Sequence, residues 1–234
     1  MGHSCHRQVG RFLASACAAL VTATLLVAAP AALPAGSMVP TAQAVQCPQV
    51  QVVFARGREE PAGTGIVGTA FVNALRAKSD KNIGYYPVDY DANLGVDQGA
   101  NDMSSHIQYM ARNCPRTRLV LGGYSLGAAV TDMVLAIPGP MFGFDNPLPL
   151  GSDGYIAAVA LFGNGSSKVL GSPMSEFVPS YTHKIIDLCN ASDPICSENM
   201  DFNTWAGDWS NHLQAAYVDS GLVNKAAIFA AGKL

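Results

Sequence analysis

The pentapeptide Gly123-Tyr124-Ser125-Leu126-Gly127 places a hydroxyl between two glycines at G-x-S-x-G spacing. That spacing suits a nucleophile. Without Cβ atoms on the flanking glycines, a strand and a helix can pass closely while the serine takes a strained backbone conformation and projects its hydroxyl from the sheet edge. A helix N-terminus beside it would stabilise the negative charge that develops during acyl transfer. Leu119-Val120-Leu121, ahead of the turn, reads as a strand buried on both faces, and Ala128–Ile137 behind it as a helix stopped by Pro138. A glycine-rich turn holding an incidental serine is the plainer alternative; the strand and helix on either side speak against it.

A serine nucleophile needs a base to take its proton and a carboxylate to orient that base. Beyond residue 44 the histidines are His106, His183 and His212. His106 lies inside a helical pattern and precedes the serine. His183 stands just before a strand, opposite the carboxyl ends where an open parallel sheet gathers its site loops. His212, in a loop after the last strand, remains, against the plainer reading of a surface histidine. Among the acids between Ser125 and His212, Asp187 falls within a strand, and Asp201 and Asp208 sit in loop without an anchor. Asp193 lies between Cys189 and Cys196. A bridge joining those cysteines would hold the carboxylate where the imidazole needs it. Alone, Asp193 is a turn residue of Ser-Asp-Pro; the bridge and the chain order Ser…Asp…His reverse that preference.

The elements that must position these groups follow from the rest of the chain. Residues 1–44 read as a cleaved targeting segment: Arg7 and Arg11 are basic, Phe12–Ala29 is apolar, and Ala42-Gln43-Ala44 offers an A-x-A site. An uncleaved anchor is the rival, and Pro30, Pro34 and Pro40 ahead of the site favour cleavage. Of the 14 Lys and Arg, these two leave with that segment, and no acid precedes Glu59. Twelve basic and 17 acidic residues remain, a net charge of −5. One domain, 45–234, has the length to bury a sizeable core. A mildly acidic balance with no basic run argues against nucleic-acid binding. Cys47, Cys114, Cys189 and Cys196 remain in the exported chain and read as two disulfides with three connectivities open. Local logic favours Cys47–Cys114 and Cys189–Cys196, worth about 4 and about 2.5 kcal/mol in chain entropy. A zinc site is excluded by the spacings, so no metal and no cofactor is expected.

Val50–Ala55, Ile83–Val88, Ile156–Phe162 and Lys184–Leu188 read as further strands. Val67–Ser79, Gly95–Asn113, Leu213–Val218 and Leu222–Ala231 read as helices. The alternation implies an α/β parallel sheet covered on both faces. Pro138–Gly154, with four prolines and four glycines, is an irregular excursion.

Taken together, Phe54-Ala55-Arg56-Gly57, Gly122 through Gly127, Asp187-Leu188-Cys189 with Asp193-Pro194-Ile195-Cys196, and His212-Leu213 resemble the cutinase family, from Cys47 to the C-terminus. The likeness is to the exported cutinase-like esterases of mycobacteria and related actinobacteria. It implies a small α/β-hydrolase with a five-stranded parallel sheet, two disulfides and no large lid. It also implies Ser125 as nucleophile, His212 as base then acid, Asp193 as orienter, and backbone N–H groups of Arg58 and Leu126 as the oxyanion hole. Fungal cutinases usually carry Ser or Thr where Arg58 stands and Gln where Leu126 stands. A backbone donor tolerates both changes; a bracing hydroxyl is lost, and one donor is worth on the order of 3 kcal/mol. The plain reading of Arg58 is an exposed cation paired with Glu59 or Glu60. Trp205, Trp209, Phe202 and Leu213, with Met141, Phe142 and Phe144, are candidates to line an apolar acyl pocket, or else ordinary packing residues. The expectation is a monomeric, secreted serine carboxylesterase acting on small-molecule or lipid esters, with transient contact to a lipid surface. Lipase, phospholipase, acetyl-xylan esterase and a weakly active envelope-binding protein are the alternatives.

Overall fold

The computed structural model describes residues 46–197 and 209–234. The targeting segment and Asp201, Phe202, Trp205 and Asp208 lie outside them. Five strands, β1 (Val50–Ala55), β2 (Ile83–Pro87), β3 (Arg118–Tyr124), β4 (Ile156–Phe162) and β5 (Ile185–Leu188), form one parallel sheet in the order β2-β1-β3-β4-β5. β1, β3 and β4 are buried on both faces, which is why they read as continuous apolar runs. The switch in winding direction falls between β1 and β3, so the loops after these strands open a crevice at their carboxyl ends.

Two helical layers cover the sheet. On one face Phe54 of β1 and Phe162 of β4 meet Phe71 of α1 (Gly65–Arg76), at centroid separations of 6.2 and 5.8 Å. The same core takes in Tyr217 of α6 (Gln214–Val218) and Val223, Ala226 and Ala230 of α7 (Leu222–Ala231). On the other face Met103, Ile107 and Met110 of α2 (Val96–Asn113) pack with Val130 and Val134 of α3 (Leu126–Ala136) on Leu119, Leu121, Val159 and Leu161. Two short helices, α4 (Ser166–Leu170) and α5 (Met174–Phe177), occupy the stretch between β4 and β5, to which the sequence reading assigns no element.

Helix α1 starts two residues before its expected boundary. Its N-cap Thr64 makes no capping bond with its side chain; instead the Glu60 carboxylate accepts the N–H groups of Ile66 and Val67 at 2.8 and 3.0 Å. A cap supplied from the preceding loop has no periodic signature. Disulfides join Cys47 to Cys114, at the start of β1 and the end of α2, and Cys189 to Cys196, within the loop after β5.

Candidate active site

The turn after β3 is shaped by contacts no side chain could tolerate. A Cβ on Gly123 would stand 2.1 Å from the Gly127 carbonyl oxygen, and one on Gly127 would stand 2.0 Å from the Ala55 carbonyl oxygen. The helix therefore presses directly on the ends of β1 and β3. Between the glycines Ser125 is held at φ 53°, ψ −117°, a conformation L-residues rarely adopt. Its N–H donates to the Phe162 carbonyl at 2.8 Å, which ties the strained residue to β4.

The loop after β5 brings the acid. Asp193 is fully buried. Its Oδ1 accepts the Ile195 N–H at 2.6 Å, and its backbone N–H donates to the Asn190 carbonyl at 2.9 Å, so the carboxylate is fixed inside the Cys189–Cys196 ring. Its Oδ2 is 2.6 Å from His212 Nδ1, and His212 Nε2 is 2.8 Å from Ser125 Oγ. A carboxylate accepts only, so the Nδ1 proton faces Asp193 and Nε2 is left as the acceptor for the serine hydroxyl. Burial works to raise the Asp193 pKa. The hydrogen bonds from His212, Tyr217 and the Ile195 N–H outweigh it and hold the carboxyl below its usual range. The structure thus brings Ser125, Asp193 and His212 into one hydrogen-bonded run. His183 is exposed ahead of β5, and His106 is stacked on Tyr86 at 3.5 Å and bonded to Gln51, with burial lowering its pKa to about 4.

Sequence reasoning did not find the groups that hold this run. The Tyr217 hydroxyl donates to Asp193 Oδ2, and the Tyr124 hydroxyl to the His212 carbonyl. Gly163, at φ +57°, makes room for both rings: a Cβ there would sit 3.0 Å from His212 Cε1 and 3.0 Å from the Tyr217 oxygen. Only the tyrosine in the elbow itself carried a local signal.

Arg58 and Leu126 both line the cleft at Ser125. The loop carrying Arg58 is clamped, because Gly57 donates its N–H to Glu60 Oε2 at 2.7 Å and lies against the Tyr124 ring. Glu60 is buried, and burial raises its pKa despite those backbone bonds and Arg56 nearby. The expected pairing of Arg58 with Glu59 or Glu60 is therefore corrected: its guanidinium donates to the Asn93 carbonyl at 3.1 Å, while Glu60 is committed to backbone N–H groups.

The cleft has a volume of about 930 Å³. One wall is a helical stripe of α3, Leu126, Ala129, Met133 and Ala136, continued by Ile137 just beyond it; the other comes from Val169, Leu170 and Met174, with Ile195, Trp209 and Leu213 at the Asp193 and His212 loops. The expected contribution of Met141, Phe142 and Phe144 is absent. Met141 and Phe144 pair in a tight hairpin that sends Phe144 into the core and leaves Met141 and Phe142 in solvent. A buried acid also faces the cleft from α3: Asp132, 3 % exposed, whose Oδ2 accepts from the Asn164 amide at 2.8 Å. The same amide bonds Asp187 at 2.9 Å. Burial pushes Asp132 up to about 6, tempered by Ser166 and Asn164. Among the described residues no cluster of His, Cys, Asp and Glu could hold a metal ion.

An acyl-transfer site of this kind on a five-stranded parallel sheet invites comparison with known proteins. The family model described as Cutinase matches residues 46–234. The chain is 56% identical over 225 residues to the probable carboxylesterase Culp2 of Mycobacterium tuberculosis, covering 96% of each chain. It is 48% identical to the phospholipase Culp4 of the same organism, covering 96% of this chain and 92% of that one. Among solved structures it is similar to a Trichoderma reesei cutinase in complex with a phosphonate inhibitor, with TM-score 0.61, 27% identity, and coverage of 80% of this chain and 76% of that one. Sheet, elbow and matches agree: the chain is an α/β-hydrolase and belongs to the cutinase family.

Proposed function

We propose that the protein is an exported serine carboxylesterase that hydrolyses short- to medium-chain carboxylic esters through an acyl-enzyme. The observation that carries this reading is the Ser125–His212–Asp193 run at the floor of an apolar cleft. Ser125 Oγ attacks the ester carbonyl while His212 Nε2 takes its proton and then delivers it to the departing alkoxide. Asp193 keeps the imidazole in the tautomer that leaves Nε2 free and stabilises the imidazolium. Backbone N–H groups of Leu126, at the first turn of α3, and of Arg58, on the clamped loop after β1, receive the oxyanion. Water then repeats the sequence on the acyl-enzyme, with His212 as base.

The wall residues favour an uncharged acyl chain. Val169, Leu170, Trp209 and Leu213 line the cleft and are also exposed, Val169 at 81 %; an apolar mouth of this kind suits brief contact with a lipid surface. A relative named as a phospholipase makes longer-chain lipid esters the second reading. The basic and apolar segments before an A-x-A site, together with two disulfides, support export and cleavage near residue 44, leaving one domain. All triad members come from one chain, so a monomer suffices. The test is hydrolysis of p-nitrophenyl butyrate by the purified protein against its Ser125→Ala variant, followed by a chain-length series in soluble and emulsified form. Activity that depends on Ser125 and peaks at short soluble esters is expected. Equal rates in both proteins would refute the enzyme reading, and preference for emulsified long chains would favour the lipase one.

A further inference from the structure

Tyr217 is fully buried on α6, with its ring edge-on to Phe162 and to His212 at 6.4 and 6.5 Å. Its hydroxyl donates to Asp193 Oδ2, the oxygen that also accepts the His212 Nδ1 proton. The direction is not ambiguous, because the carboxylate has no proton to give. The Asn190 N–H points at the phenol oxygen from 3.4 Å, and Cys196 Sγ lies 3.4 Å away. The Asn190 amide also donates to the Ala216 carbonyl on α6 at 3.2 Å. The phenol is therefore seated by the disulfide loop and by α6 at once, with Gly163 leaving it space.

We infer that Tyr217 is a fourth member of the catalytic relay, a positioning residue that fixes Asp193 Oδ2 and limits how strongly that oxygen holds the proton on His212. The inference rests on the Ser125–His212–Asp193 reading. A carboxylate oxygen shared by two donors carries less uncompensated charge than one with a single donor. Without the phenol hydrogen bond, Oδ2 attracts the imidazolium more strongly, and the carboxyl is freer to turn about its broad terminal torsion. The first change moves the acid limb of the rate profile to higher pH; the second lowers kcat. The titratable groups facing the pair are Tyr217 from α6, Tyr124 from β3 and, behind Tyr124, Glu60 from the loop after β1. A tyrosine that merely filled the core would move neither quantity per folded molecule.

The test is Tyr217→Phe, with active sites counted by titration with a p-nitrophenyl phosphonate. Per titrated site, kcat falls about tenfold with little change in KM, as expected for a lost hydrogen bond to a charged group. The acid limb of kcat/KM moves to higher pH, and Tyr217→Phe adds no further loss in an Asp193→Asn background. Unchanged kcat and acid limb per titrated site would overturn the inference while leaving the Ser125 reading intact, since that stands or falls on Ser125→Ala. Should Tyr217→Phe not fold, site-specific 3-fluorotyrosine at position 217 keeps the ring and strengthens the donor. The acid limb then moves to lower pH, and an unmoved limb overturns the inference.

Discussion

Ser125 is placed by five consecutive residues, whereas Asp193 and His212 are placed by contacts among residues far apart in sequence. In the elbow, two missing Cβ atoms let α3 close on β1 and β3, and the strained Ser125 is held by its N–H bond to the Phe162 carbonyl. In the acid–base arm, the carboxylate is held by a disulfide ring, an Asx-type bond to Ile195 and the Tyr217 hydroxyl, and the imidazole by Tyr124 and a gap left by Gly163. The two regions meet where His212 bonds Ser125 and Tyr124, and a further seam of Asp132 and Asn164 joins α3 to the turn after β4. The elbow is rigid by backbone contact and tolerates no added atom. The arm is rigid by polar and covalent ties, so it can loosen without collapse of the fold.

The largest effect is expected where the elbow is broken. Gly127→Ala puts a Cβ against backbone, which cannot yield as a side-chain tip would, and destabilises the protein by about 4 kcal/mol or more. Urea unfolding of the variant measures this. Next comes the arm. Cys189→Ser with Cys196→Ser removes a constraint worth about 2.5 kcal/mol and lowers kcat about tenfold through a loosened Asp193. Steady-state kinetics on variant shown folded by circular dichroism decides it, and unchanged kcat would remove the clamp argument. The smallest effect is at the seam. The Asp132 pKa stands raised, at about 6 in the fold, so the folded state binds its proton more tightly than the unfolded chain does. Stability is then lost as pH rises from the ordinary carboxylate value through about 6. Asp132→Asn, which keeps an acceptor for Asn164, raises the melting temperature at about pH 8, by about 1–2 kcal/mol of stability, and leaves it near wild type at about pH 4.

The same contrast explains what could be read from the sequence. β1 and β4 have their expected bounds because runs such as Val50–Ala55 and Ile156–Phe162 are apolar throughout, as strands buried on both faces must be. The elbow was visible in its glycines, and Asp193 was singled out by the cysteines on either side. Tyr217 was not visible, because a tyrosine in a short alanine-rich helix announces no partner five residues after His212. The Glu60 cap and the role of Gly163 likewise depend on contacts between loops. The cleft wall is only partly legible: of its apolar candidates Trp209 and Leu213 do line it, whereas the hairpin at Gly143, whose φ is +80°, folds Phe144 into the core and leaves Met141 and Phe142 in solvent. Val169, Leu170 and Met174, in helices of five and four residues, lack the length for a periodic signal.

The most direct measurement is covalent labelling with an alkyl p-nitrophenyl phosphonate, followed by peptide mass spectrometry of the wild type and of His212→Ala. The account predicts about one phosphonyl group per molecule, located on Ser125, and loss of that labelling when His212 is removed. A label on another residue, or equally rapid labelling of Ser125 without His212, would contradict it.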